Sequence, residues 1–396
     1  MRPTVAVVGA SLAGLSAARA LRAQSYEGRV VVVGDERHAP YDRPPLSKQF
    51  LAGTASADAL ALSGPDDDAL ELDWRLGTTA VALDPATRAV RLADGGEVRA
   101  DGVVLATGAR ARRLPGTESE DGAASPAGVH VLRTLDDAVA LRADLVPGAH
   151  LVVIGAGFVG AEVASTARGL GLEVTVVESL PVPLAGPLGP EMGGVCAGLH
   201  AEHGVRLLTG TGVAGLTGTS RMQVVELADG RRLPADVVVV GIGALPNVEW
   251  LAGSGLDLRD GVVTDERGAT SLPGVVAVGD CAAAWSPALG RPVRTEHWTH
   301  ALEQPATAVA ALLGSDVPVP PAVPYFWSDQ YGVRIQFAGC RREGDEVRVV
   351  EGSCADRSFL AVYERDGRPV AVLGVDQPRL FTRWRRQLRT AVPAGA

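Results

Sequence analysis

One local pattern occurs twice, 146 residues apart: a β-branched run, a glycine-bearing turn, an alanine-rich helix and a second β-branched run. The first copy is Val5-Ala6-Val7-Val8, the turn Gly9 to Gly14, a helix to about Arg22, and Val30 to Val33. The second is Leu151-Val152-Val153-Ile154, the turn Gly155-Ala156-Gly157-Phe158-Val159-Gly160, a helix, and Val174 to Val177 ending in Glu178. A short apolar strand that feeds a glycine turn and a helix is a βαβ opening, because two parallel strands can be joined only through such a crossover.

Each copy is followed by hairpin material and by another strand that stops at glycine: Val103-Val104-Leu105-Ala106 before Thr107-Gly108, and Val237 to Val240 before Gly241-Ile242-Gly243. A third run, Val275 to Val278, ends in Gly279-Asp280 and belongs with the first unit if the second is inserted into it. From about residue 324 the pattern changes to alternating strands, Val333 to Ala338, Val347 to Val350, Phe359 to Tyr363 and Val370 to Val375, with an Asp366-Gly367 turn and a closing helix, Leu380 to Arg389. The expected fold is α/β, with two Rossmann-like dinucleotide-binding domains, the second inserted in the first, and a C-terminal α+β domain. Expected boundaries are 1–112 with 246–323, then 113–245, then 324–396. A chain of 396 residues accommodates this at roughly 150 residues per domain.

A net charge of −9 gives no general reason to expect a nucleic-acid partner, and no run of 18 apolar residues suits a membrane span. Met1-Arg2-Pro3-Thr4 leads straight into the first strand, too short for a signal peptide, so a cytoplasmic location is expected. The cysteines, Cys196, Cys281, Cys340 and Cys354, form no close pair, which indicates neither a disulfide framework nor a metal or cluster site. Of the 37 basic residues 36 are arginine, and the one lysine is Lys48. A chain that otherwise uses arginine would keep a lysine where a compact ammonium fits and a planar guanidinium does not.

Gly155-x-Gly157-x-x-Gly160 is a complete dinucleotide fingerprint: tight turn, close backbone approach to a pyrophosphate, and helix–strand packing. Glu178, 23 residues on, can accept from both ribose hydroxyls and would repel a 2′-phosphate, which favours NAD over NADP. The first turn, Gly9-x-Ser11-x-x-Gly14, has serine at the pyrophosphate position, with Asp35 and Glu36 after the following strand available to a ribose.

Pro40-Tyr41-Asp42-Arg43-Pro44-Pro45-Leu46-Ser47-Lys48 resembles the signature of the FAD-dependent NADH:ferredoxin reductases that feed cytochrome P450s and ring-hydroxylating oxygenases, putidaredoxin- and rubredoxin-reductase-like proteins related also to apoptosis-inducing factor. Family-like stretches follow in order: Ala106-Thr107-Gly108-x-Arg110, Gly241-x-Gly243-x-x-Pro246-Asn247, Gly279-Asp280, Glu296-His297-Trp298 with Gln304, and Phe326-Trp327-Ser328-Asp329-Gln330. The resemblance implies FAD in the first unit and NADH in the second. It places Gly9, Ser11, Gly14, Asp35, Arg43, Lys48, Val81, Arg110, Asp280 and Trp298 at FAD, with Arg43 and Arg110 at the diphosphate and Asp280 on the ribityl chain at the start of a helix. It places Gly155, Gly157, Gly160, Glu162, Glu178 and Gly243 at NADH. Lys48, paired with Glu162, and Trp327 are the implied catalytic residues, and His297 is read as a hydrogen-bonded helix histidine rather than a base. Gly186 stands where many relatives carry a basic residue.

A flavin disulfide reductase on the same architecture needs a thiol beside the flavin, and the segment around Lys48 has none. A redox-sensing or scaffold flavoprotein resembling apoptosis-inducing factor uses the same sites and is separated only by turnover. The expected activity is transfer of electrons from NADH, through FAD and then singly, to a small iron–sulfur ferredoxin. Residues 331–396 total +4 against −13 for residues 1–330, so Arg341, Arg342, Arg379, Arg383 and Arg386 are candidates for docking an acidic ferredoxin.

Overall fold

Burial of the two valine-rich runs organises the first sheet in a computed structural model, which describes residues 2–115, 127–218, 221–287, 289–315, 318–319 and 323–391. Thr4–Val8 pairs in parallel with Arg29–Val33 on one side and Gly102–Leu105 on the other; Leu72–Arg75 and Val275–Ala277 complete five parallel strands. Strands covered on both faces must be apolar at every position, and Val5 to Val8 and Val30 to Val33 are all buried. Each valine among them contributes roughly 1.5–3 kcal/mol. The run at 275 thus enters the first sheet after an excursion of more than 150 residues through the second.

The second sheet repeats the arrangement. Its order is Arg206–Leu208, Glu173–Val177, His150–Ile154, Val237–Val240, Val129–His130, again all parallel. Where the chain passes between the two sheets, Ala109–Ala111 and Ala244–Pro246 pair antiparallel. The fingerprint helices, Leu12–Ala23 and Phe158–Gly169, begin at the carboxyl ends of their strands.

The C-terminal domain is a five-stranded antiparallel sheet, ordered Tyr325–Gln330, Val333–Gly339, Arg368–Val375, Ser358–Arg365, Glu346–Ser353, with the helix Pro378–Ala391 against it. Asp366 and Gly367 both take positive φ (50° and 70°), the geometry of a two-residue hairpin turn. The helix Ala185–Glu202, kinked at Gly189, lays Leu188, Met192, Cys196 and Leu199 on the core of Ile335, Phe337, Phe359 and Tyr363, which ties this domain to the second unit. Asp280 does not begin a long helix: it lies in a single 3-10 turn, Gly279–Cys281, because the next residues are drawn into the strand Ala282–Ser286. The helix follows only at Trp298–Leu312.

Candidate functional site

The glycines of the two turns divide into two kinds. At Gly9 (φ 123°) a Cβ would stand 2.0 Å from the Ala106 carbonyl oxygen, and at Gly14 it would stand 1.8 Å from that of Gly9. Gly155 (φ 99°) and Gly160 repeat this, 2.3 Å from Gly241 O and 2.1 Å from Gly155 O. Strand and helix close on one another only without side chains at these four positions. Gly157 differs: nothing lies within 4 Å of its Cβ position, so the space over that helix N-terminus is open to a ligand. Ser11 holds the matching place in the first turn, as the extended N-cap of its helix (φ −119°), with its hydroxyl 3.4 Å from Arg43 Nε.

Around that first turn the structure gathers charge. Glu36 accepts from Arg43 (2.6 Å) and from the Tyr41 hydroxyl (2.5 Å), while Asp35 stays exposed at the strand end. Arg43 also donates to the Arg133 carbonyl at 2.6 Å, and Arg133 pairs with Asp280. Burial works against the Arg43 cation, but Tyr41, Glu36 and Asp280 more than offset it and hold its pKa above the ordinary value. Arg110 is not brought here. Its strand pairs with Ala244–Pro246, and its guanidinium turns to Glu249 (2.6 Å) and Asn247 (3.2 Å). Arg133 stands beside Arg43 and Asp280 instead, a residue the sequence did not single out because its neighbours signal only a helix start, Thr134 and Asp137 forming a capping box. Val81 is an exposed residue of Ala80–Leu83, in the chain leaving the Asp35 edge, where Thr78 N–H donates to Gly34 O.

Lys48 and Glu162 meet at 2.7 Å, both largely buried, across 114 residues of sequence. Lys48 follows the short 3-10 turn Pro44–Ser47 of the first unit, and Glu162 lies on the second fingerprint helix. The ammonium donates also to Pro44 O (2.9 Å), which leaves one of its three N–H groups for another acceptor. Ser47 Oγ donates to the same carboxylate oxygen as Lys48 (2.5 Å), and Ser328 Oγ, from the C-terminal domain, donates to the other (2.6 Å). Neither serine was expected; a buried hydroxyl within a family-like stretch is the one signal that could have found them.

Beside this junction Trp298 Nε1 donates to Asp42 (2.7 Å), whose carboxyl burial raises above the usual range, partly offset by Trp298 and Lys48. The Trp298 ring meets Trp327 edge-on at 6.0 Å, and Trp327 stacks on Tyr325 at 5.9 Å. His297 is neither in the helix nor hydrogen-bonded through Nδ1: it holds the N-cap position without a side-chain capping bond, its buried Nδ1 has no partner, and burial pushes its pKa down to about 4, so the ring is neutral. In the second unit Glu178 accepts from Ala156 N–H and Leu180 N–H, both 2.9 Å. Gly243 (φ 103°), with open space at its Cβ position, lies after the neighbouring strand, and Leu180 and Val159 expose apolar surface beside these residues.

The basic patch is only partly free. Arg341 turns inward, donating to Gly186 O at 3.1 Å, so the C-terminal domain sets a guanidinium against the helix turn that lacks its own cation. Arg385 stacks on Tyr325, its carbon 4.1 Å from the ring centre. Arg379, Arg383 and Arg386 are exposed on the closing helix. The four cysteines are free, and burial pushes the Cys196 thiol up to about 12. Among the described residues no helix is long and apolar enough to cross a membrane, and no cluster of His, Cys, Asp or Glu could hold a metal.

The donor set fits two dinucleotides: two glycine-turn helix N-termini, the second open above Gly157, two arginines beside the first, a carboxylate after the second strand of each unit, and a lysine with a spare N–H between them. Comparison with known proteins agrees with that chemistry. Residues 3–305 match the pyridine nucleotide-disulphide oxidoreductase family and residues 325–396 the reductase C-terminal family. The ferredoxin reductase component of chlorobenzene dioxygenase from Cupriavidus sp. (strain PS12) is 40% identical over 96% of this chain and 91% of its own. Putidaredoxin reductase of Pseudomonas putida is 39% identical over 98% and 92%. The crystal structure of a covalent putidaredoxin reductase–putidaredoxin complex superposes with a TM-score of 0.93 at 38% identity, covering 99% of this chain and 94% of that one.

Proposed function

The chain belongs to the pyridine nucleotide-disulphide oxidoreductase family, and on that premise we propose that it is an FAD-dependent NADH:ferredoxin reductase serving a cytochrome P450 or a ring-hydroxylating oxygenase. The first unit would hold FAD, which would supply the two-electron chemistry that links hydride from NADH to single-electron transfer to an iron–sulfur partner. The observation that carries the reading is the buried Lys48–Glu162 pair, which joins the two dinucleotide units at 2.7 Å.

The chain's own residues supply position and charge. Gly9, Ser11 and Gly14 shape the first diphosphate turn; Arg43 and Arg133 neutralise it, Asp35 takes the ribose, and Asp280, Val81 and Trp298 line the rest. Gly155, Gly157, Gly160, Glu178 and Gly243 hold NADH, where Glu178 would repel a 2′-phosphate. Lys48 presents its spare N–H to charge arriving on the flavin, and Glu162 keeps the ammonium in place. Trp327 screens the site on the C-terminal side.

Ferredoxin docking is assigned to the exposed arginines Arg379, Arg383 and Arg386, with Arg341 and Arg342 at the margin; the net positive charge of residues 331–396 supports this. The free thiols and the use of NADH suit the cytoplasm. The test is NADH-driven reduction of a [2Fe-2S] ferredoxin by the purified yellow protein. Fast turnover that slows with salt, over a Debye length of about 10 Å at 0.1 M, and with R383E/R386E supports the reading. A reduced flavin that persists with ferredoxin present would instead indicate a sensor.

A further inference from the structure

The catalytic pair is completed by the C-terminal domain. We propose that Ser328 is a positioning residue for hydride transfer: it fixes Glu162 Oε1 so that Oε2 is presented to Lys48. This rests on the reading of Lys48 and Glu162 given above. The hydroxyl has one orientation open to it. Gln330 Nε2 donates to Ser328 Oγ at 3.0 Å, so the serine proton goes to Glu162, 2.6 Å away. Ser328 is 0% exposed, Gln330 2% and Glu162 4%, so the bond lies out of contact with bulk water. A buried carboxylate that loses a donor keeps the full desolvation cost of that oxygen and relaxes toward its remaining partners, Ser47 and Lys48, both on Oε2. The ammonium then shifts with it.

The backbone around Ser328 is braced for this task. The turn after its strand places Tyr331 at φ 52°, its N–H donating to Ser165 Oγ (2.6 Å) and its hydroxyl meeting His200 Nδ1 (2.7 Å). On the opposite side Thr166 Oγ1 donates to Ser47 O at 2.7 Å. The helix that carries Glu162 is therefore pinned by the 44–48 turn from one side and by Tyr325–Gln330 from the other. Trp327, one residue before Ser328, ties the same strand to Trp298.

The test is a double-mutant cycle with S328A, E162Q and S328A/E162Q holoenzymes, read by the rate of flavin bleaching with NADH and by the midpoint potential of bound flavin. S328A is expected to slow bleaching about tenfold, the scale of a lost hydrogen bond to a charged group, and to move the potential. In the E162Q background S328A is expected to change the rate by less than twofold and leave the potential where E162Q sets it. An S328A effect of equal size in both backgrounds makes Ser328 a packing residue and overturns the proposal, as does a wild-type rate and potential in S328A. A wild-type rate in E162Q would instead overturn the Lys48–Glu162 reading beneath it.

Discussion

The two dinucleotide units answer the same packing problem and differ at one position. In both, the first and third glycines are required by the protein itself, since added Cβ atoms would lie 1.8–2.3 Å from backbone oxygens. The second position touches no protein in the second unit, where Gly157 is open, whereas the first unit tolerates Ser11 and sets its hydroxyl beside Arg43. One motif thus mixes residues that serve the fold with one that serves the ligand.

That division orders the effects of mutation. The largest is expected for Gly9→Ala and Gly155→Ala, which combine positive φ with a backbone clash and should cost about 4 kcal/mol or more. Thermal unfolding and flavin content report it: Gly9→Ala loses FAD, while Gly155→Ala disturbs the second unit first. Acid comes next. His297 in the first unit and His200 between the second unit and the C-terminal domain are held neutral by burial, each with a pKa of about 4. The unfolded chain takes up those protons near pH 6.5, so this stability is complete above that pH and falls toward pH 4, by up to ~3 kcal/mol for each histidine. Chemical denaturation at several pH values measures it, with His200→Gln flattening the slope. Gly157→Ala should raise the KM for NADH by ~10–100-fold, with melting temperature and FAD content unchanged, because only the ligand meets the added methyl. Ser11→Gly is the smallest, a change of about threefold or less in FAD affinity by fluorescence titration, because the lost contact with Arg43 is a long one.

The parallel sheets were legible because strands buried on both faces are written as unbroken β-branched runs, and the fingerprint turns because their first and third glycines leave no room for a side chain. The return of Val275–Ala277 to the first sheet could be read only on the condition that the second unit is inserted into the first. The helix Ala185–Glu202 could not: Gly186, Gly189, Gly193, Gly194 and Gly198, with Pro187 and Pro190, argue against a helix, and it forms because its apolar side chains complete the C-terminal core. At the site, Lys48 and Glu162 were visible through the scarcity of lysine and a family-like motif. Arg133, Ser47 and Ser328 were not, since each acquires its role from a partner more than 100 residues away in sequence. The direction Arg110 takes was not legible either, because a strand pairing unseen in the sequence turns it to Glu249.

The division of labour between the units is tested most directly by mixing the anaerobic, FAD-loaded protein with equal concentrations of NADH or NADPH and following flavin bleaching in a stopped-flow instrument. If Glu178 takes the ribose as proposed, NADH should bleach the flavin at least ~100-fold faster per unit concentration than NADPH, a difference of about 2.7 kcal/mol. Equal bleaching by the two, or none by NADH, would contradict the account.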